Sequence, residues 1–221
     1  MTTKDRILMA SLKFFLIEGY ENTTLSMIAD AVDIKKPSIY YHFKSKEGLL
    51  FHSIYFILNT LEEQITHSVT RSNTPKEQLE SFFECIFDFN DKLSLMIGND
   101  CNNSINFITM IQLHSNRFKE LSERINQYYE KISYILKDIL TQGQKKNLIK
   151  DALDKDMAVI DIISRIEGLI ALSTVYKTVH LNNIRNQLYE NLWLNLAPQN
   201  NPQKKDRKFF NYGPISLGRK W

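Results

Sequence analysis

Eight consecutive residues, Lys35 to His42 (KKPSIYYH), hold two lysines, a serine, two tyrosines and a histidine. Ammonium groups donate to phosphate oxygens or to the acceptor edge of a base, and hydroxyl, phenol and imidazole groups serve either partner. Only Ile39 and Phe43 have core character. They lie four apart, so a helix anchored through both would turn its remaining side chains outward. Such a segment is suited to touching a large polar surface.

The flanking residues show how it would be held. Residues 4 to 18, KDRILMASLKFFLIE, place Ile7, Ala10, Phe14 and Ile17 at helical spacing, with Gly19 where a left-handed cap would stand. Thr23 and Thr24 offer N-caps for a short helix, LSMIADAV, whose stripe is Ile28, Ala29 and Val32; small Ala29 would let another helix cross closely. Asp33 and Ile34 form a break, and Pro37, tolerated only in a first helical turn, fixes the start of the next helix. Ser45 is a candidate N-cap for a long helix from Lys46 to about Val69. Two short helices joined by a tight turn, the second rich in exposed polar groups, form the pattern of a helix-turn-helix. Its second helix enters the DNA major groove, outward side chains reaching base edges while flanking groups bind phosphate.

The run from Ile28 to Leu50, IADAVDIKKPSIYYHFKSKEGLL, resembles the DNA-binding domain of TetR-family transcriptional regulators, and the resemblance extends back to Gly19, Tyr20 and Thr24. It implies an all-α homodimer: a helix-turn-helix domain over residues 1–48 and a helical regulatory and dimerisation domain over 49–198 that takes an inducer. Carried over by position, Thr24 and Lys46 correspond to phosphate contacts at helix N-termini. Tyr40, Tyr41 and His42 match positions touching DNA backbone or bases, and Lys36 and Ser38 match base-reading positions. Asp33 stands where the family often has the turn glycine, and Lys35, itself a candidate DNA contact, replaces a common serine cap.

Beyond residue 70 the reading rests on periodicity. RSNTP, residues 71 to 75, is linker-like, and Pro75 can open a helix carrying Leu79, Phe82, Phe83, Ile86, Phe87 and Leu93. A polar loop over 98 to 104 precedes helices from Ile105 to Leu113 and from about Arg117 to Gln142. Phe82, Phe83, Phe87, Phe107, Met110 and Tyr128 are candidate walls of an inducer pocket, with His114, Asn106 or Gln112 as polar anchors, although any one of them is more at home in a core. Their aromatic richness suits an apolar or flat ligand. Residues 154 to 177 are apolar nearly all round and therefore need two partners. With the leucine-spaced helix over 180 to 197 they are expected to form a four-helix bundle with a second copy, through Ile163, Ile166, Gly168, Ile170, Leu188 and Leu192.

Composition bounds the remaining options. Hydrophobic residues make up 43% and charged residues 24% of the 221-residue chain, as in a globular protein. Only 7 Gly and 5 Pro occur, which favours helices throughout. No apolar run is long enough for a membrane helix and no signal core follows the N-terminus, so the expected location is the cytoplasm. Cys85 and Cys101 have no metal-ligand or redox spacing and are expected to pack. There is no phosphate-binding Gly-rich loop, HExxH, GxSxG or Glu-x-x-His signature, and neither an enzyme nor a cofactor is expected. The tail beyond residue 198 is basic, with six cations against Asp206 after residue 200. It suits an arm touching DNA, a docked segment or an appended sequence foreign to the fold. The expected function is a ligand-responsive repressor that binds a palindromic operator as a dimer. The alternative is a helical scaffold or small-molecule-sequestering protein with a vestigial helix-turn-helix.

Overall fold

Five of the helices begin where a side chain can hold their free N–H groups. Thr2 caps α1 (Thr3–Ile17) through a reciprocal pair with Asp5, Thr24 caps α2 (Leu25–Ala31), and Ser45 caps α4 (Lys46–Arg71). At the start of α5 (Pro75–Ile97), Glu77 accepts from the backbone of Asn73 and Thr74 while its own N–H donates to Thr74 Oγ1. Asp154 caps α8 (Lys155–Val175). No side chain caps α3 (Lys36–His42), but Pro37 in its first turn has no N–H to satisfy and a φ already suited to a helix. With α6 (Phe107–Ser115), α7 (Lys119–Lys145) and α9 (Leu181–Leu196), these helices make up the computed structural model, which describes residues 2–97, 107–176 and 181–198. The fold is all-α, and the described residues contain no strand.

Asp33 makes the turn between α2 and α3 with φ 56°, and the backbone N–H of Ile34 returns to the Ala29 carbonyl at 3.0 Å. A residue with a short polar side chain tolerates this left-handed geometry better than most, which explains how Asp fills a glycine-like position. Gly19, φ 80°, ends α1 in the same conformation. Arg6 of α1 reaches across to the Val32 carbonyl at 2.7 Å and ties α1 to the end of α2.

The buried stripe of α1 is Ile7, Leu8, Ser11, Leu12, Phe15 and Leu16. The periodic set expected from the sequence, with Ala10, Phe14 and Ile17, is rotated from it and only partly buried. The reason is that α1 packs against both α2 and α4, so its contact face is broader than one stripe and is centred by its neighbours. The α2 stripe, Ile28, Ala29 and Val32, and the α3 anchors, Ile39 and Phe43, are buried as expected.

Two hydrophobic cores share α4. Ile54, Ile57 and Leu58 belong to the core around α1, α2 and α3, which continues to Leu93, Met110 and Leu121; Leu61, Ile65 and Val69 belong to the second, with α5, α7, α8 and α9. Tyr189 and Trp193 of α9 are buried in the second core, and the Tyr189 phenol donates to the Lys76 carbonyl at 2.9 Å. Cys85 is a half-buried packing residue whose thiol pKa burial pushes up; Cys101, Asn106 and the basic tail lie outside the described residues.

Replacing Asp33 by Gly keeps the turn and removes the cost of holding a Cβ-bearing residue at positive φ. Urea denaturation should show Asp33→Gly unchanged or stabilised by up to about 1 kcal/mol, and Asp33→Val destabilised by about 1 kcal/mol or more.

Candidate nucleic-acid interface and ligand cavity

With Ile39 and Phe43 pinned in the core, α3 turns Lys35, Lys36, Ser38, Tyr40, Tyr41 and His42 to solvent together. Tyr41 is 86% exposed and Tyr40 51%, so two adjacent rings of this helix stand in solvent. Tyr41 stands edge-on to His42 with centroids 5.1 Å apart. Phe43, behind them, packs against His52 of α4 and beneath the Lys4 ammonium. Thr24 is also exposed, but its hydroxyl accepts from the Met27 N–H as the α2 cap.

Lys46 has a different role from the one its position suggested. Its ammonium donates to the carbonyls of Tyr20 (2.7 Å), Glu21 (3.2 Å) and Thr23 (2.9 Å) and lies 4.5 Å from the Tyr20 ring centroid. Three carbonyls use all three of its donors. The ammonium therefore locks the α1–α2 loop onto the start of α4, leaving no side-chain N–H for a phosphate.

The cavity lies in the second half of the molecule, between α4, α5, α6, α7 and α8. It offers about 80 Å³ to the centre of a water-sized sphere. Its apolar walls include Leu58 and Leu61 from α4, Phe82, Ile86 and Phe89 from α5, Phe107 and Ile111 from α6, Ile125 and Ile132 from α7, and Ile163, Ile166 and Ile170 from α8. The polar groups among the described walls are Asn90, Tyr128, Tyr129 and Glu167. Tyr129 Oη donates to Glu167 Oε1 at 2.5 Å. Burial raises the Glu167 carboxyl above the usual carboxylate range, partly opposed by that hydrogen bond. Burial likewise drives both tyrosine phenols far up, so they remain neutral donors.

Of the residues proposed as walls, Phe82, Phe107 and Tyr128 line this cavity. Phe83 and Phe87 do not: Phe83 packs edge-on against Tyr189 of α9 at 5.8 Å, with Phe87 tilted against it at 6.4 Å. Met110 and His114 share one helical face with Phe107 and Ile111 but do not line the cavity: Met110 is buried in the first core, against which Phe107 and Ile111 also pack, and His114 is buried beside it. His114 Nδ1 is 2.8 Å from the Met110 carbonyl, and its ring packs edge-on to Tyr20 and stacks on Phe118. Gln112 is exposed. Amphipathic spacing shows that a helix has a buried side but not which neighbour each residue on that side meets. Glu167 and Tyr129 were missed from the sequence, although a lone acid in the apolar run from Ile166 to Val175 was a readable signal.

The dimerisation candidates also divide. Ile163, Ile166 and Ile170 face the cavity, Leu192 is buried, and Leu188 packs on the same core. Exposed on the outer side of α8 are Met157, Ile160, Gly168, Leu172 and Val175, the last 78% exposed; a Cβ on Gly168 would meet nothing within 4 Å.

Where the two cores meet, Glu62 of α4 is nearly buried and accepts from Arg124 at 2.6 Å and from Lys131 at 3.0 Å; Arg124 also donates to Asn59 at 2.7 Å. This network fixes α4 against α7 beside the cavity.

Residues 7–52 match the model of the bacterial regulatory proteins of the tetR family. Over 147 residues, covering 66% of this chain and 77% of its relative, the sequence is 31% identical to IcaR of Staphylococcus aureus, a negative transcriptional regulator of a biofilm operon. It is also 26% identical over 153 residues (69% of this chain, 74% of the relative) to the fatty acid metabolism regulator protein of Bacillus subtilis. Among solved structures, a TetR transcription regulator from Haloarcula marismortui superposes with TM-score 0.73 at 17% identity over 89% of this chain and 98% of the other. FadR from Bacillus subtilis, solved in complex with stearoyl-CoA, superposes with TM-score 0.63 at 22% identity over 85% and 96%. The chain belongs to the TetR family. It is a DNA-binding transcriptional regulator of that family. No helix among the described residues is long and apolar enough to cross a membrane.

Two substitutions test the geometry. Lys46→Met removes a cation bound to three carbonyls and should lower unfolding stability by about 1–3 kcal/mol in thermal or urea melts. Glu62→Leu strands Arg124 and should cost about 3–5 kcal/mol, much of which the Glu62→Leu/Arg124→Met double variant should recover, because replacing a buried pair costs less than breaking it.

Proposed function

We propose that the chain acts as a cytoplasmic homodimer whose two α3 helices read a near-palindromic operator, and that a small apolar or aromatic ligand in the cavity releases it. Lys36 and Ser38 are the base-reading candidates; Lys35, Tyr40, Tyr41, His42 and Thr24 are the surrounding DNA contacts. In this reading residues 1–48 form the DNA-binding domain and residues 49–198 the regulatory one, and no catalytic step is assigned. The outer side of α8, with Met157, Ile160, Leu172 and Val175, is the surface offered to the second copy, and Gly168 would let the helices approach closely.

One observation carries the response to ligand. On one face of α6, Phe107 and Ile111 line the cavity, while Met110 lies in the core that seats α2 and α3 and His114 is buried against Tyr20. A ligand that displaces the first pair must move the second, because packed interiors do not absorb volume locally. That movement is passed to Tyr20 and to the start of α4, altering the spacing of the two recognition helices. The ligand shifts the population only by its preference for the released conformer. The complex of the relative FadR with stearoyl-CoA supports a ligand with a substantial apolar part.

Selection from a random double-stranded DNA pool at physiological salt should return one palindrome with half-sites a helical turn or more apart. Affinity for it should fall by roughly 10³-fold or more between about 50 and 200 mM salt. Tyr41→Ala should weaken binding about tenfold or more while its unfolding midpoint stays within about 0.5 kcal/mol of the parent's. Recovery of no preferred sequence would overturn the operator reading.

A further inference from the structure

The only charged residue among the described walls of the cavity is an acid. Glu167 projects from α8 among Ile163, Ile166 and Ile170, and its one hydrogen-bond partner among the described residues is the neutral phenol of Tyr129. It forms no ion pair among the described residues. Arg124 and Lys131 of α7 are bound to Glu62, and neither lines the cavity. A carboxylate in apolar surroundings is costly unless a cation joins it. Phe82, Phe89, Phe107 and Tyr128 surround the same space, and aromatic faces attract cations that have shed their water.

We propose that the cavity selects lipophilic cations, in which an aliphatic or aromatic body fills the isoleucine-lined space and a protonated amine pairs with Glu167. This rests on the reading of the cavity as the ligand site and adds the sign of the ligand's charge. The chemistry also predicts exclusion. A ligand carboxylate placed here would face Glu167 with no cation among the described walls to offset it, so a buried anionic head group is disfavoured even where the apolar body fits. Tyr129 sharpens the site by holding Glu167 Oε1 in one position, leaving Oε2 as the free acceptor for the ligand's N–H.

The test uses three ligands of equal chain length and different charge, decylammonium, decanol and decanoate, titrated calorimetrically below their micellar concentrations at neutral pH against the full chain. Decylammonium should bind about tenfold or more tightly than decanol, and decanoate more weakly than decanol. Glu167→Gln should bring decylammonium down to the level of decanol while leaving decanol unchanged, and Tyr129→Phe, which keeps the carboxylate and the volume, should retain the preference. Ile163→Trp, which fills the cavity, should abolish all three. If decanoate or decanol binds as tightly as decylammonium and Ile163→Trp abolishes that binding, the cavity reading stands and the charge preference is overturned. A preference that survives intact in Glu167→Gln also overturns it. If none of the three binds, or if Ile163→Trp binds them unchanged, the cavity reading itself falls.

Discussion

The structure depends on the double membership of α4. Its first half, through Ile54, Ile57 and Leu58, completes the core that seats the recognition helix, and its second half, through Leu61, Ile65 and Val69, completes the core around the cavity. A continuous helix cannot rotate or slide in one core and remain fixed in the other. Glu62 and Arg124 sit where the two halves meet, a charge pair held nearly out of water and therefore demanding close geometry to remain favourable. This makes the junction intolerant of intermediate positions, as expected of an element with discrete arrangements.

A second connection runs in parallel. The buried face of α6 spans two neighbours, with Phe107 and Ile111 at the cavity and His114 against Tyr20 and Phe118. Tyr20 is also the ring beneath the Lys46 ammonium, whose carbonyl contacts hold the α1–α2 loop to α4. From the cavity wall to the first residue of α4 the contacts are thus aromatic packing, a cation over a ring, and charge-assisted hydrogen bonds. These short-range interactions pass on displacement rather than absorb it. The exposed face of α3 is carried on that frame without contributing to it, so its side chains are free to meet DNA.

The cavity concentrates its polarity in one place. Most of its described wall is isoleucine, leucine and phenylalanine, contributed by five helices, so no single helix determines its shape. Glu167 and Tyr129, from α8 and α7, close one side with a short hydrogen bond, and the desolvation that raises both their pKa values would also strengthen any charge brought to them. Shape is thus a collective property of the bundle, whereas charge preference rests on a single carboxylate.

Much of the N-terminal portion was legible because its determinants are local. A threonine or serine before a helix, a proline in a first turn, a short polar residue at a left-handed turn and two anchors four apart act within a few residues of themselves, and Thr24, Ser45, Pro37, Asp33, Ile39 and Phe43 all behave as that logic requires. By itself the sequence determined the helices, their caps and the polar face of α3. The tertiary structure decided which side of a helix meets which neighbour. It turned Ile163, Ile166 and Ile170 to a cavity rather than to a second subunit, sent Met110 and His114 to the first core, and gave Lys46 three carbonyls rather than a free end. The physical reason is that helical periodicity records only that an apolar face is buried. What it is buried against depends on residues tens of positions away, which meet only once the chain has packed.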